Sequence, residues 1–221
     1  MNIAVLLAAG SGTRLNSNKA KQFLEINGKE LYTYALDVFN MNKNIDKILV
    51  IARGEDITHI KETTENYSKV LDVIAGGKTR ELSVKVAIEY LNNFAKEEDV
   101  ILIHDAARPL VNDRIINENV TAVNKYEAAV TAIKATDSIL VGNENVKTEL
   151  NRNEIWHAQT PQSFKFKLLK NAFNKFDETL TDDVAVVLNI GVHPHIVLGE
   201  KSNIKITTSD DIDLFKIYLL N

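Results

Sequence analysis

Cysteine is absent from the 221 residues. That single absence excludes a disulfide framework, a thiolate metal site and a thiol nucleophile, and it accords with a reducing compartment. Positive charge is not in excess either. Lys and Arg number 26 against 30 Asp and Glu, for a formal net charge of −4 and a pI near 5.8, so the molecule as a whole does not attract nucleic acid. No apolar run approaches the roughly 18 residues that a membrane span needs. The chain opens on a strand-like segment, Ile3–Leu7, instead of a basic region followed by an apolar leader. A cytoplasmic protein that engages neither membrane nor nucleic acid is expected. Prolines number three, Pro109, Pro161 and Pro194. The five histidines show no His-x-x-x-His spacing. Neither an internal repeat nor a low-complexity linker divides the chain, so residues 1–221 are expected to form one domain.

What is present is a regular alternation. Short apolar runs predict strands at Ile3–Leu7, Ile48–Ala52, Val70–Ile74, Val100–His104, Ala129–Ile133 and His195–Leu198. Segments of helical period predict helices at Leu31–Phe39, Asp56–Asn66, Arg80–Phe94, Arg114–Tyr126, Phe166–Phe176, Asp182–Asn189 and Asp210–Leu220. Runs apolar on both faces, separated by amphipathic helices, describe an α/β protein with a mostly parallel sheet covered on both sides. Ligands in such sheets sit at the carboxyl ends of the strands. Residues 134–155 break the pattern, with two β-leaning segments around Gly142-Asn143 in a polar surround. They predict a hairpin arm that projects from the sheet, either as decoration or, as favoured here, for dimerisation.

The first strand ends in Ala8-Ala9-Gly10-Ser11-Gly12-Thr13-Arg14, with Lys21 following within about two helical turns. Backbone almost free of side chains, next to fixed cations, suits a polyphosphate. The loop lacks the Gly-Lys-Ser/Thr of a Walker loop and the third glycine of a dinucleotide fingerprint, where Leu15 stands. Gly76-Gly77 could let a flat base lie on backbone, with Ser83 bonding it, or could form a tight turn with Thr79 as a helix cap. Asp105, at the end of the most apolar strand, needs a partner: a substrate hydroxyl, a metal or Arg108. Trp156 reads as core packing. Arg152 suits an anion through its bidentate fork, and Lys205, between apolar neighbours, is expected to meet an anion near the sheet.

Together these segments resemble the nucleotidyltransferase superfamily, and within it the 2-C-methyl-D-erythritol 4-phosphate cytidylyltransferase family. The resemblance runs nearly end to end, through A-A-G-S-G-T-R-L, K-Q-F-L, G-G-x-x-R, H-D-A-A-R-P, R-N-x-x-W-H-A-Q-T-P-Q, the T-D-D at 181–183 and N-I-K-I-T. It implies a Rossmann-like three-layer fold with a protruding β-arm, and transfer of CMP from CTP to a polyol phosphate with release of pyrophosphate, in isoprenoid precursor synthesis by the methylerythritol phosphate pathway. It implies that Arg14, Lys21 and Lys205 carry the catalytic charge. Ala8, Ala9, Gly10, Gly12, Gly76, Gly77, Ser83 and Ala106 would bind the nucleotide, and Asp105, Arg108, Ser138, Arg152 and Thr160 the polyol phosphate. Mg²⁺ would be held mainly by the CTP phosphates, with no metal site built from side chains, and the chain would form a homodimer whose arm reaches over the neighbouring site. Four positions depart from the family pattern: Leu7 and Ala20 replace prolines, Asn151 an aspartate and Ser138 a threonine. The last two touch the substrate side, so a ribitol 5-phosphate cytidylyltransferase is the alternative. A non-catalytic nucleotide-binding protein on the same scaffold is the alternative from another class.

Overall fold

The computed structural model describes residues 1–10, 21–176, 180 and 182–220. Seven strands form the central sheet: β1 (Asn2–Leu7), β4 (Lys47–Ala52), β5 (Val70–Ala75), β6 (Val100–Asp105), β7 (Ala128–Lys134), β10 (Trp156–Lys165) and β11 (His195–Leu198). Their spatial order is β11-β7-β10-β6-β1-β4-β5. Every neighbouring pair is parallel except those of β10, which runs against both β6 and β7. A small hairpin of β2 (Glu25–Ile26) and β3 (Lys29–Glu30) leads into α1 (Leu31–Met41).

Period-two alternation assigns each strand residue to a face. Ala4 and Leu6 of β1, Ile48 and Val50 of β4 and Leu102 of β6 pack against α1, α2 (Ile57–Thr64) and α4 (Asp113–Tyr126). Ile3, Val5, Leu49, Ile51, Ile101 and Ile103 face the other way, onto α3 (Arg80–Leu91), α5 (Phe166–Asn174) and α6 (Asp183–Leu188). Both faces are thus sealed, which is why these strands read as continuous apolar runs. The last helix, α7 (Ser209–Leu219), stands apart and clamps Phe215 against Ile26, Leu31 and Ile206. Its cap is Thr208, in a reciprocal capping box with Asp211; the box supplies two backbone bonds where a lone hydroxyl supplies one.

The expected elements are all present, with boundaries moved by up to three residues. The segment around Trp156 is the exception, since it forms the ten-residue strand β10. Its pairing register is interrupted between Ala158 and Gln162, where Pro161 sits, so the strand carries its proline at an irregularity. Trp156 does not join the core. It is half-buried at the start of β10, with Lys134 Nζ 5.4 Å from the ring centroid. Residues 140–149 form the expected hairpin, β8 (Leu140–Gly142) and β9 (Val146–Glu149), as a separate two-stranded sheet exposed along its length. No helix among the described residues is long and apolar enough to cross a membrane.

Candidate active site

Strand register brings the expected segments to one edge. Leu7 of β1 pairs with Ile51 of β4 and with Asp105 of β6, so these strands end level. The connections then extend the ladder by single backbone bonds: Ala8 N donates to Ile51 O (2.8 Å), Gly76 N to Ala52 O (2.8 Å) and Ala106 N to Leu7 O (3.0 Å). Lys205 reaches the same edge because Ile206 N donates to Ala107 O (2.8 Å) while the Ile206 side chain is buried under α7. The outcome is a cavity of about 290 Å³ bounded by Ala8, Ala9, Gly10, Gly77, Asp105, Ala106 and Lys205, together with Gln22 and Arg80. That is close to the smallest volume at which small-molecule sites occur.

One wall is built from backbone. A Cβ at Gly76 would lie 2.7 Å from Ser83 Oγ and 2.8 Å from Ile51 Cγ2, and one at Gly77 would lie 2.5 Å from Leu82 Cβ; no side chain fits at either position. Thr79 caps α3 by accepting from Leu82 N (3.2 Å). Ser83 Oγ is buried beneath the turn, donating to Thr79 O (2.8 Å) and accepting from Gly77 N (3.1 Å). Its hydroxyl therefore shapes the glycine turn from behind, with its proton committed to the Thr79 carbonyl.

The opposite wall is charged. Asp105 does not pair with Arg108. Its Oδ1 accepts from Arg80 Nε at 3.0 Å, and its Oδ2 lies 2.6 Å from Lys205 Nζ. Burial alone would push this carboxyl up, but Arg80 and Lys205 outweigh that and hold it well below the usual carboxylate range. Arg80 in turn has Nη1 2.8 Å from Oδ2 of Asp183, a fully buried residue at the first position of α6. Burial opposes charge on Arg80, yet the two carboxylates raise its pKa above the ordinary value. Burial pushes the Asp183 carboxyl up to about 6 despite the Arg80 charge beside it. Arg108 faces away from Asp105, donating from Nη1 to Asn203 O (2.8 Å) and from Nη2 to Ala158 O (3.3 Å). Burial lowers its pKa.

Behind Asp105, Thr160 and His104 form a chain. Thr160 Oγ1 accepts from Asp105 N at 3.1 Å and lies 3.0 Å from His104 Nδ1, while His104 Nε2 lies 3.0 Å from Arg108 O. A carbonyl can only accept, so Nε2 carries the proton and Nδ1 accepts from the threonine hydroxyl. Burial pushes the His104 imidazole down to about 4, which keeps it neutral.

The remaining expected residues divide as follows. Gly12 and Arg14 lie outside the described residues. Lys21 opens a one-turn 3-10 helix through Phe23. That turn is anchored by Gln22 Nε2 donating to Asp56 Oδ2 (3.3 Å) and by the edge-to-face contact of Phe23 with His59 (5.1 Å). Ser138 and Arg152 lie apart from the cleft, in an open pocket at the base of the arm shared with Leu150 and Asn151. Arg152 Nη1 donates there to Thr136 O at 2.9 Å. Cleft residues that were not anticipated include Arg80, Gln22 and Lys78, along with Asp183 behind the wall. Each sits inside a quoted motif, which was the available signal.

Comparison with known proteins adds the following. The family model for IspD, 2-C-methyl-D-erythritol 4-phosphate cytidylyltransferase, matches residues 2–221. A relative from Thermosipho melanesiensis, named 2-C-methyl-D-erythritol 4-phosphate cytidylyltransferase, is 40% identical over 221 residues, covering 98% of this chain and 97% of the relative. A ribitol-5-phosphate cytidylyltransferase from Streptococcus agalactiae is 34% identical over 225 residues, covering 98% of this chain and 94% of the relative. The crystal structure of 4-diphosphocytidyl-2C-methyl-D-erythritol synthase from Anaerococcus prevotii matches with a TM-score of 0.85 at 30% identity, covering 99% of this chain and 96% of that one.

Proposed function

The chain belongs to the 2-C-methyl-D-erythritol 4-phosphate cytidylyltransferase family, and on that premise we propose how its cleft transfers CMP from CTP to 2-C-methyl-D-erythritol 4-phosphate. The observation that carries the reading is one cavity with a bare backbone wall facing a carboxylate flanked by two cations. Ala8, Ala9, Gly10, Gly77 and Ala106 line the cavity and offer the close backbone approach a nucleotide needs, with Gly76 leading into the same turn. Asp105 suits a hydroxyl of the polyol.

The nucleophile is an oxygen of the polyol phosphate. A phosphate monoester is mostly dianionic at pH 7, its second pKa being about 6, so no general base is required. A bond forms between that oxygen and the α-phosphorus of CTP, and the bond from the α-phosphorus to the bridging oxygen breaks, releasing pyrophosphate. The barrier is the approach of two anions and the charge that builds on the α-phosphorus and leaving group. Fixed cations and alignment lower it, and Arg14, Lys21 and Lys205 are assigned that work. To contribute, Lys205 must turn at least part of its ammonium from Asp105 towards the phosphates. Among the described residues no group of three His, Asp or Glu side chains is placed to hold a metal ion. Mg²⁺ would be carried in on the CTP phosphates as part of the substrate.

We also propose that the enzyme is a cytoplasmic homodimer. Leu140, Val141, Val146 and Leu150 are exposed along the arm, an apolar set that a second copy would cover. The same contact would bring Ser138 and Arg152 to the neighbour's cleft, where an arginine fork could grip the polyol phosphate. The test is CTP-dependent pyrophosphate release measured in parallel with 2-C-methyl-D-erythritol 4-phosphate and ribitol 5-phosphate. The expected result is a higher kcat/KM with the first. A preference for ribitol 5-phosphate would move the chain to the reading that Ser138 and Asn151 keep open.

A further inference from the structure

Arg80 has no part in the mechanism above, yet it is among the most constrained side chains at the cavity. It begins α3, directly after the Thr79 cap, and its guanidinium lies between two carboxylates, 3.0 Å from Asp105 and 2.8 Å from Asp183. The backbone position of Asp183 is itself fixed. It is the first residue of α6, whose cap Asp182 accepts from Val184 N (2.8 Å) and from the buried Gln162 Nε2 of β10 (3.0 Å). The two cations on Asp105 therefore differ in kind. Lys205 is 40% exposed on a flexible stem, whereas Arg80 is 22% exposed and pinned from behind by a carboxylate with no solvent contact.

We propose that Arg80 is the positioning residue for Asp105, holding its carboxylate against the polyol while Lys205 turns to the phosphates. The inference rests on the functional reading above. The side chain of Asp105 is only 9% exposed. If Lys205 were its only partner, the departing ammonium would strand a buried negative charge, which would protonate or withdraw. With Arg80 in place the carboxylate stays ionised and aimed, and Lys205 is free to serve the reaction. Arg80 thereby allows one aspartate to be a resting partner for the lysine and a ligand for the substrate in turn.

The test compares R80Q and R80K with wild type, using steady-state kinetics with MgCTP and the polyol phosphate at pH 7.5, calorimetric CTP binding and thermal melting. Asp105 is faced by Arg80 from α3, Lys205 from the loop before α7, Asp183 from α6, and His104 and Arg108 from its own strand and loop. In R80Q the KM for the polyol phosphate is expected to rise on the order of 10- to 100-fold, the usual range for groups that hold a site residue in place, while CTP binding stays near wild type. The kcat should fall much less than KM rises, because the reacting phosphates are held by other cations while Asp105 loses the partner that aims it. R80K should recover part of the KM change. A folded R80Q with the wild-type KM would overturn the proposal, as would a loss in kcat equal to the rise in KM or an equal loss in R80K. The paired variant R80Q/D183N removes the stranded countercharge and keeps the comparison intact if R80Q alone unfolds. Wild type inactive with both candidate polyol phosphates would instead overturn the functional reading itself, and the inference with it.

Discussion

Replacing His104 with asparagine tests the buried chain behind the cleft through its proton linkage. The imidazole titrates at an ordinary 6.5 once exposed by unfolding and at about 4 in the folded site, where burial excludes the charge. At pH 7.5 and above the imidazole is largely unprotonated in both states and the linkage contributes little. As pH falls below 6.5 the unfolded chain takes up a proton that the folded chain refuses, so folding stability drops, and the drop levels off below pH 4. The full separation is worth about 3 kcal/mol, of which about 2–3 kcal/mol has been lost by pH 4.5. Asp183 works in the opposite direction over an overlapping range: burial lifts its carboxyl from 3.8 to about 6, and stability from that source grows as pH falls. The wild-type curve alone is thus a poor readout, and the difference from H104N isolates the histidine. At pH 7.5 the variant should be the weaker by about 1–3 kcal/mol, since the Arg108 carbonyl loses its donor. By pH 4.5 that gap should close or reverse in urea unfolding followed by far-UV circular dichroism. A gap of the same size at pH 7.5 and pH 4.5 would refute the assignment of a neutral, proton-refusing imidazole.

Three further outcomes follow from the same geometry. K21A and K205A should fold and melt near wild type yet lose roughly 10²–10³ in turnover, the cost of removing one electrostatic donor; near-wild-type pyrophosphate release would remove either lysine from the charge-stabilising role. G77A drives a Cβ to 2.5 Å from Leu82 Cβ and 2.8 Å from the Leu82 backbone carbon, so calorimetry should show weakened CTP binding together with a stability loss of about 1–3 kcal/mol. L140S/V146S replaces side chains that are 57% and 64% exposed and should shift sedimentation towards monomer with little change in melting; a dimer of unchanged affinity would disconnect the arm from assembly.

The parallel part of the fold was legible because its physics is local. β1, β4 and β6 are buried on both faces, so each reads as an unbroken apolar run, and the helices between them carry their own period. β10 was hidden for an identifiable reason. Pro161 lies within it, and its pairing register shifts between Ala158 and Gln162, whereas a proline ordinarily argues against a central strand. The strand is buried from Gln159 to Phe164, but only Pro161 and Phe164 in that stretch are apolar enough to signal it.

The site was legible to the extent that one motif held a whole function. The small-residue wall needs only consecutive alanines and glycines at strand ends, and Ala8, Gly77 and Ala106 do meet at one cavity. The charge wall could not be read this way, because each carboxylate had more than one cation within plausible reach. Arg108, three residues from Asp105 in sequence, was a natural partner, yet its fork is drawn to the carbonyls of Asn203 and Ala158. The partner is Arg80, which arrives from a different strand-to-helix connection and is committed on its far side to Asp183. A sequence gives the charges, but which cation a buried carboxylate keeps depends on which one has a second anchor to hold it there. Desolvation makes that choice consequential, since the partner that stays decides whether Asp105 remains charged when a ligand takes the other.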